Sequence, residues 1–157
     1  MKIELKNIKY AAFASEETSC YTASLYVDGK KIGEVSNDGK GGCDLFRGDH
    51  VAYKEADTWC RQNLPKWSLP EFSDEEHETD LEHHCGSLLE TWQYTKDYKR
   101  LIKIKVLFIF PDKPGVYEIK HRGQAERVVE KLQAQHPGIR ILNTLPLDEA
   151  VALFRSA

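Results

Sequence analysis

Residues 20–36 read CYTASLYVDGKKIGEVS, and this stretch decides the class of the fold. Tyr21, Ala23, Leu25 and Val27 alternate with Cys20, Thr22, Ser24 and Tyr26. That period of two puts successive side chains on opposite faces of a strand. Asp28-Gly29 then supplies a two-residue hairpin turn, because glycine accepts positive φ. The chain returns as a further strand over 31–36. Upstream, residues 2–14 read as a strand with Ile3 and Leu5 on one parity and Ile8, Tyr10, Ala12 and Ala14 on the other. A bulge near Lys6-Asn7 repairs the change of parity. The first third is thus expected to be a three-stranded antiparallel meander.

The rest of the chain alternates helices with strands. Asp49 predicts an N-cap for a helix reaching about residue 64, with Val51, Ala52, Ala56, Trp59 and Cys60 as its apolar face. Pro65 and Pro70 bracket a linker. Ser73 followed by Glu76 matches a capping box. It predicts a second helix from residue 73, on which Leu81, Cys85, Leu88, Leu89 and Trp92 share one face. Residues 101–110 read as a strand, apolar on both faces in its second half, as a central strand should be. A turn over 111–115, a returning strand over 116–120, a helix over 124–135, a short strand over 139–142 and a helix over 147–154 complete the order. In the 124–135 helix, Ala125, Val128, Val129 and Leu132 are expected to face inward. The expected architecture is one α+β domain over 1–157: the meander, two central helices, a strand hairpin, a helix, a short strand and a C-terminal helix.

Composition narrows the function. At 157 residues the chain can bury a core without disulfides or metals to hold it. Its net charge of -3 and pI near 6.1 give no global attraction to nucleic acid or to a membrane surface, so direct nucleic-acid binding is disfavoured. The opening MKIELK carries no apolar leader, and the apolar run at 106–110 is far too short to span a bilayer. The expectation is a cytoplasmic protein. Cys20, Cys43, Cys60 and Cys85 form no C-x-x-C pair and are expected as free thiols. No G-x-S-x-G, kinase or nuclease pattern appears, which favours a binding protein without a cofactor over an enzyme.

Three surfaces compete for a role. The first is the loop SNDGKGGCD at 36–44. Gly41-Gly42 would let backbone N–H groups approach an anion. The spacing matches neither phosphate-binding motif, and Asp38 and Asp44 would repel phosphate. The loop therefore reads first as a turn and second as a recognition edge. In a meander, the connection at 15–19 lies at the same sheet end, so Glu16 and Glu17 are expected near Asn37, Asp38, Gly41, Gly42 and Asp44. The second surface is the histidine segment HETDLEHHC at 77–85. On a helix, His77, Asp80 and His84 fall on one face and make a weak candidate metal set, without a recognised ligand spacing. The third is charge. Residues 67–95 hold no Lys or Arg but carry Asp74, Glu75, Glu76, Glu78 and Glu82 among their acids. Such a block is either a solvated helix face or a surface that competes for a basic partner.

The opening MKIELKNIKYAAFASEETSCYTASLYVDGKKIGEVSNDGKGG, with LIKIKVLFIF at 101–110 and ILNTLPLDEAVALF at 141–154, resembles small uncharacterised accessory proteins of bacteriophages and prophages. The resemblance covers both ends of the chain and not the acidic middle. It implies a cytosolic accessory of a virus or mobile element, of a kind that commonly binds host machinery, and the expected function is to bind and modulate a host protein or nucleoprotein complex, for instance as an inhibitor of a CRISPR or restriction defence system. It assigns no residue a role. The alternative is a small-ligand module, either holding a nucleotide at the Gly-rich loop or acting as a metal-dependent enzyme through His77, Asp80 and His84.

Overall fold

Asp28 and Gly29 sit at φ of 48° and 83° and join the strands Tyr21–Val27 and Lys30–Asn37 as a two-residue turn, with Val27 paired to Lys30. Here the computed structural model describes residues 1–156, with Ser73 and Asp74 given by their backbone alone. The chain divides into two units, Met1–Leu89 and Glu90–Ala157.

The first unit holds β1 (Ile3–Tyr10), β2 (Tyr21–Val27), β3 (Lys30–Asn37) and β4 (Leu45–Gly48), antiparallel in the order β1-β2-β3-β4. The meander thus gains a fourth strand that the sequence reading missed. β4 is four residues long and is specified by pairing with β3 rather than by its own alternation. The parity problem in β1 is solved as expected. Pairing breaks after Lys6 and resumes at Lys9, with Asn7 at φ 53°. β1 ends at Tyr10, short of the expected residue 14, and a 3-10 turn at Ala12–Ala14 follows. Ile3, Tyr21, Ala23, Leu25, Ile32 and Val35 are buried from this sheet.

Asp49 caps α1 (His50–Asn63), its carboxylate accepting from the N–H groups of Val51 at 3.1 Å and Ala52 at 3.0 Å. Ala56 and Cys60 are the buried residues of this helix. Val51 does not join them and stays 71% exposed. It lies nine residues before Cys60, about 180° around the helix.

Between Pro65 and Asp80 the expectation fails. Residues 73–77 are not helical: β5 (Trp67–Leu69) and β6 (Ser73–His77) form an antiparallel hairpin, and α2 (Leu81–Leu101) starts eight residues later than the capping-box pattern suggested. Residues 73–80 contain no aliphatic or aromatic side chain apart from His77. A helix there would have no apolar face to bury. The cap in use is Asp80, whose carboxylate accepts from His83 N–H at 2.7 Å, while Leu81 N–H donates to Asp57 at 2.8 Å. Leu81, Cys85 and Leu89 are then buried on the expected face. α2 runs on through Leu101, where a strand was expected, and contributes residues to both units.

In the second unit, β7 (Lys105–Ile109) is the middle strand, flanked by β8 (Tyr117–Lys120) and β9 (Arg140–Ile141), both antiparallel to it. Its side chains alternate between two cores. Val106 and Phe108 pack with Ile141 and with Leu132, Val128 and Val129 of α3 (Ala125–Gln135). Leu107 packs with Tyr98, Leu142 and with Ala150 and Val151 of α4 (Leu147–Ser156). Burial on both sides is why this strand reads as a continuous apolar run. Beyond two-residue β9, Asn143 continues the pairing with its side chain: it accepts from Leu107 N–H at 2.7 Å and donates to the Lys105 carbonyl at 3.0 Å.

Candidate functional site

Two loops close one end of the first sheet, and Asn37 joins them. It is the last residue of β3 and is 8% exposed. Its side-chain oxygen accepts from Thr18 Oγ1 at 2.7 Å and from Gly39 N–H at 2.9 Å. Its amide nitrogen donates to the Gly42 carbonyl at 2.9 Å and to Asp44 at 3.0 Å. All of the amide's usual hydrogen-bonding directions are used, which makes it a rigid polar hub.

Gly39 is the other half of the junction. Its carbonyl accepts from the N–H groups of Glu16 at 3.0 Å, Glu17 at 2.9 Å and Thr18 at 3.3 Å. Its φ is 84°, and a Cβ there would overlap the Ala14 carbonyl oxygen and lie 2.9 Å from Cys20 Cβ. Only glycine combines that dihedral with that approach. Gly41 N–H donates to Thr18 Oγ1 at 3.3 Å, Lys40 N–H to Asp38 at 3.1 Å, and Asp44 N–H to Glu82 at 2.7 Å. The N–H groups of Gly39, Lys40, Gly41 and Asp44 are thus turned to neighbouring residues.

The junction reaches into the sheet and to α2. Tyr21 donates its hydroxyl to Asp44, and burial first, then Asp44, drives its ionisation far above the usual tyrosine range. Glu82, in the first turn of α2, is committed to Asp44 N–H. Among the sequence candidates, Asn37, Asp44 and Glu82 therefore hold the loop together. Glu16, Glu17, Asp38, Gly41 and Gly42 are exposed. The expected meeting of Glu16 and Glu17 with 37–44 is present. Thr18 and Tyr21 were missed, because a hydroxyl's role here depends on pairing across 23 residues of chain.

Phe13 was missed as well. It projects from the 3-10 turn at Ala12–Ala14 with 94% of its surface exposed. The turn is pinned: Ser15 donates its hydroxyl to the Ala11 carbonyl at 2.9 Å and accepts from Cys20 N–H at 2.9 Å. Within AAFA the phenylalanine looked like one more strand residue. Glu16 and Glu17 follow it three and four residues on, and neither takes part in an ion pair among the described residues.

The acidic block is redistributed by the hairpin. Asp74, Glu75 and Glu76 stand on β6 and Glu78 follows it, so they form no helix face. Asp74's side chain lies outside the described residues. Glu76 approaches Lys66 at 3.9 Å. Arg61 reaches Asp57 at 2.9 Å, Asp80 at 3.6 Å and Glu78 at 3.7 Å, so part of the block is neutralised locally. The histidine face dissolves with the helix. His77 is on β6, its ring tilted against Trp67 with centroids 4.8 Å apart, Asp80 is the cap, and His84 lies within α2. Among the described residues no three His, Cys, Asp or Glu side chains gather as a metal site. No described helix is long and apolar enough to cross a membrane.

Charge separates by unit. Residues 1–89 carry 10 Lys and Arg against 17 Asp and Glu, net -7, and residues 90–157 carry 12 against 8, net +4.

The four cysteines are free thiols. Burial pushes Cys60 up to about 11 and raises Cys85 further. At pH 8 a maleimide is expected to modify exposed Cys43 first, and Cys60 and Cys85 only on unfolding, as peptide mass mapping would report. The buried thiols hold their protons more tightly than unfolded ones, whose ordinary value is 9.0. Their contribution is complete below pH 9 and is lost as pH rises through the folded values. Thermal melts should therefore fall above pH 9.

No protein-family model, curated protein or solved structure matches the chain.

Proposed function

We propose that this chain is a protein-binding accessory whose first unit docks its acidic loop end onto a basic surface of a partner complex. The observation that carries the reading is Phe13, almost wholly exposed on a pinned turn and followed by the exposed acids Glu16 and Glu17. A large aromatic held in water by a rigid turn is the form of an interface anchor. Acids beside it would steer approach to a cationic partner and set the specificity. The resemblance to phage and prophage accessory proteins supports a host protein or nucleoprotein complex as that partner, with a defence complex of the CRISPR or restriction type the first to try. A nucleotide held at the Gly-rich loop is the second reading. It is disfavoured by the engagement of the Gly39, Lys40, Gly41 and Asp44 N–H groups with Asn37, Asp38, Thr18 and Glu82.

The test is capture of partners from a bacterial host by the tagged protein, at low and moderate salt. The reading expects a stoichiometric complex that weakens as salt rises. Phe13→Ser and Glu16→Lys should each reduce capture at least about tenfold with no loss of melting temperature, since both side chains are exposed. Capture unchanged in both variants would sink this reading.

A further inference from the structure

β8 is an edge strand, and all four of its residues, Tyr117, Glu118, Ile119 and Lys120, are exposed. The direction of its outer hydrogen-bonding groups can be fixed. His121 N–H donates to the Ile104 carbonyl at 3.1 Å, which makes these two residues a hydrogen-bonded pair. Register runs without a break from Lys105↔Lys120 to Phe108↔Tyr117. Hydrogen-bonded and non-hydrogen-bonded pairs alternate along an antiparallel ladder. The N–H and C=O groups of Ile119 and Tyr117 therefore point to β7, and those of Glu118 and Lys120 point away from it.

A second copy of the same strand can add antiparallel in three central registers that satisfy those outward groups. Centred on Glu118, the register sets glutamate against glutamate. Centred on Lys120, it sets lysine against lysine. Centred on Ile119, it sets Glu118 of each copy opposite Lys120 of the other, as two symmetric hydrogen-bonded pairs, with Ile119 meeting Ile119 on the other face. Directly opposed unlike charges stabilise a sheet and like charges oppose it. Charged residues usually protect an edge from pairing, but here they alternate in sign and suit self-pairing in one register.

The chain's own pairing leaves Lys120 in need of such a neighbour. It faces Lys105 across the ladder, while Glu118 is ion-paired to Lys105. Among the described residues no carboxylate forms an ion pair with Lys120.

We propose that two copies of this chain associate through β8, antiparallel about Ile119, joining two three-stranded sheets into one of six strands with reciprocal Glu118–Lys120 pairs. Four residues a side is a small interface, so the dimer is a concentration-dependent one.

Sedimentation at low salt, from about 1 to about 500 µM, tests it. The wild-type chain should pass from monomer to dimer across that range. Glu118→Lys and Lys120→Glu should each weaken self-association at least about tenfold, because each sets like charges opposite one another. An equimolar mixture of these two variants should recover a heterodimer, and the double variant E118K/K120E should recover a homodimer. The double variant also sets a glutamate opposite Lys105, so its melt checks that the sheet is intact. A wild-type chain that stays monomeric at the highest concentration would overturn the proposal. So would single variants that associate like wild type, or a mixture that stays monomeric.

Discussion

Gly39→Ala is expected to lower stability by about 3 kcal/mol or more in urea unfolding. Two costs add. The added side chain must adopt φ near 84°, a region that costs an ordinary residue about 1–2 kcal/mol. It must also find room where the Ala14 carbonyl already stands, beside Cys20 Cβ at 2.9 Å. Moving the backbone to make that room disturbs the Gly39 carbonyl, which holds three N–H groups of the neighbouring loop. Gly42→Ala is the control. A Cβ there meets nothing within 4 Å and the dihedral is ordinary, so the change should stay within about 0.5 kcal/mol. If the two variants unfolded at the same urea concentration, the loop junction would be far softer than its packing indicates.

Asn37→Ala is expected to cost about 2–4 kcal/mol, because it strands several buried partners at once. Thr18 Oγ1 and Gly39 N–H lose their acceptor, and the Gly42 carbonyl and Asp44 lose a donor. Asn37→Asp separates the two halves of that role. The aspartate can still accept from Thr18 and Gly39, but it brings a second carboxylate against Asp44 in place of a donor. That repulsion raises the folded-state carboxylate pKa values, so the variant should regain part of its loss as pH falls below about 5. A urea midpoint for Asn37→Asp that does not rise relative to wild type on acidification would contradict the assignment of the Asn37 amide to Asp44. Asn37→Ala combined with Gly39→Ala should cost less than the sum of the two, since both open the same junction.

What could be read from the sequence is what local chemistry decides. The Asp28-Gly29 turn, the bulge at Lys6-Asn7, the Asp49 cap and the central position of β7 each rest on a few adjacent residues. The proximity of Glu16 and Glu17 to 37–44 follows from meander topology alone. The failures share a cause. β4 exists because β3 offers it a ladder, and its own four residues hardly announce it. Ser73 and Glu76 satisfied a capping pattern, yet the segment had no apolar face to bury, and the nearby strand at Trp67–Leu69 claimed it instead. Lys103 was expected in a strand because Leu101, Ile102 and Ile104 are apolar, but the helix continues through Leu101 and the strand waits until Lys105. At the site, Asn37 was legible as a loop residue and not as a hub, because its four partners are spread from Thr18 to Asp44.

Asn143 shows how little of a chain's text a structural instruction can occupy. Its amide serves the Leu107 N–H and the Lys105 carbonyl, two groups that a longer β9 would otherwise engage by its backbone. One side chain thus stands in for a length of polypeptide. The segment between α3 and α4 is freed from alternation, and its message to β7 is written in a single letter. Reading such a segment by its periodicity finds almost no signal, because the signal has no period.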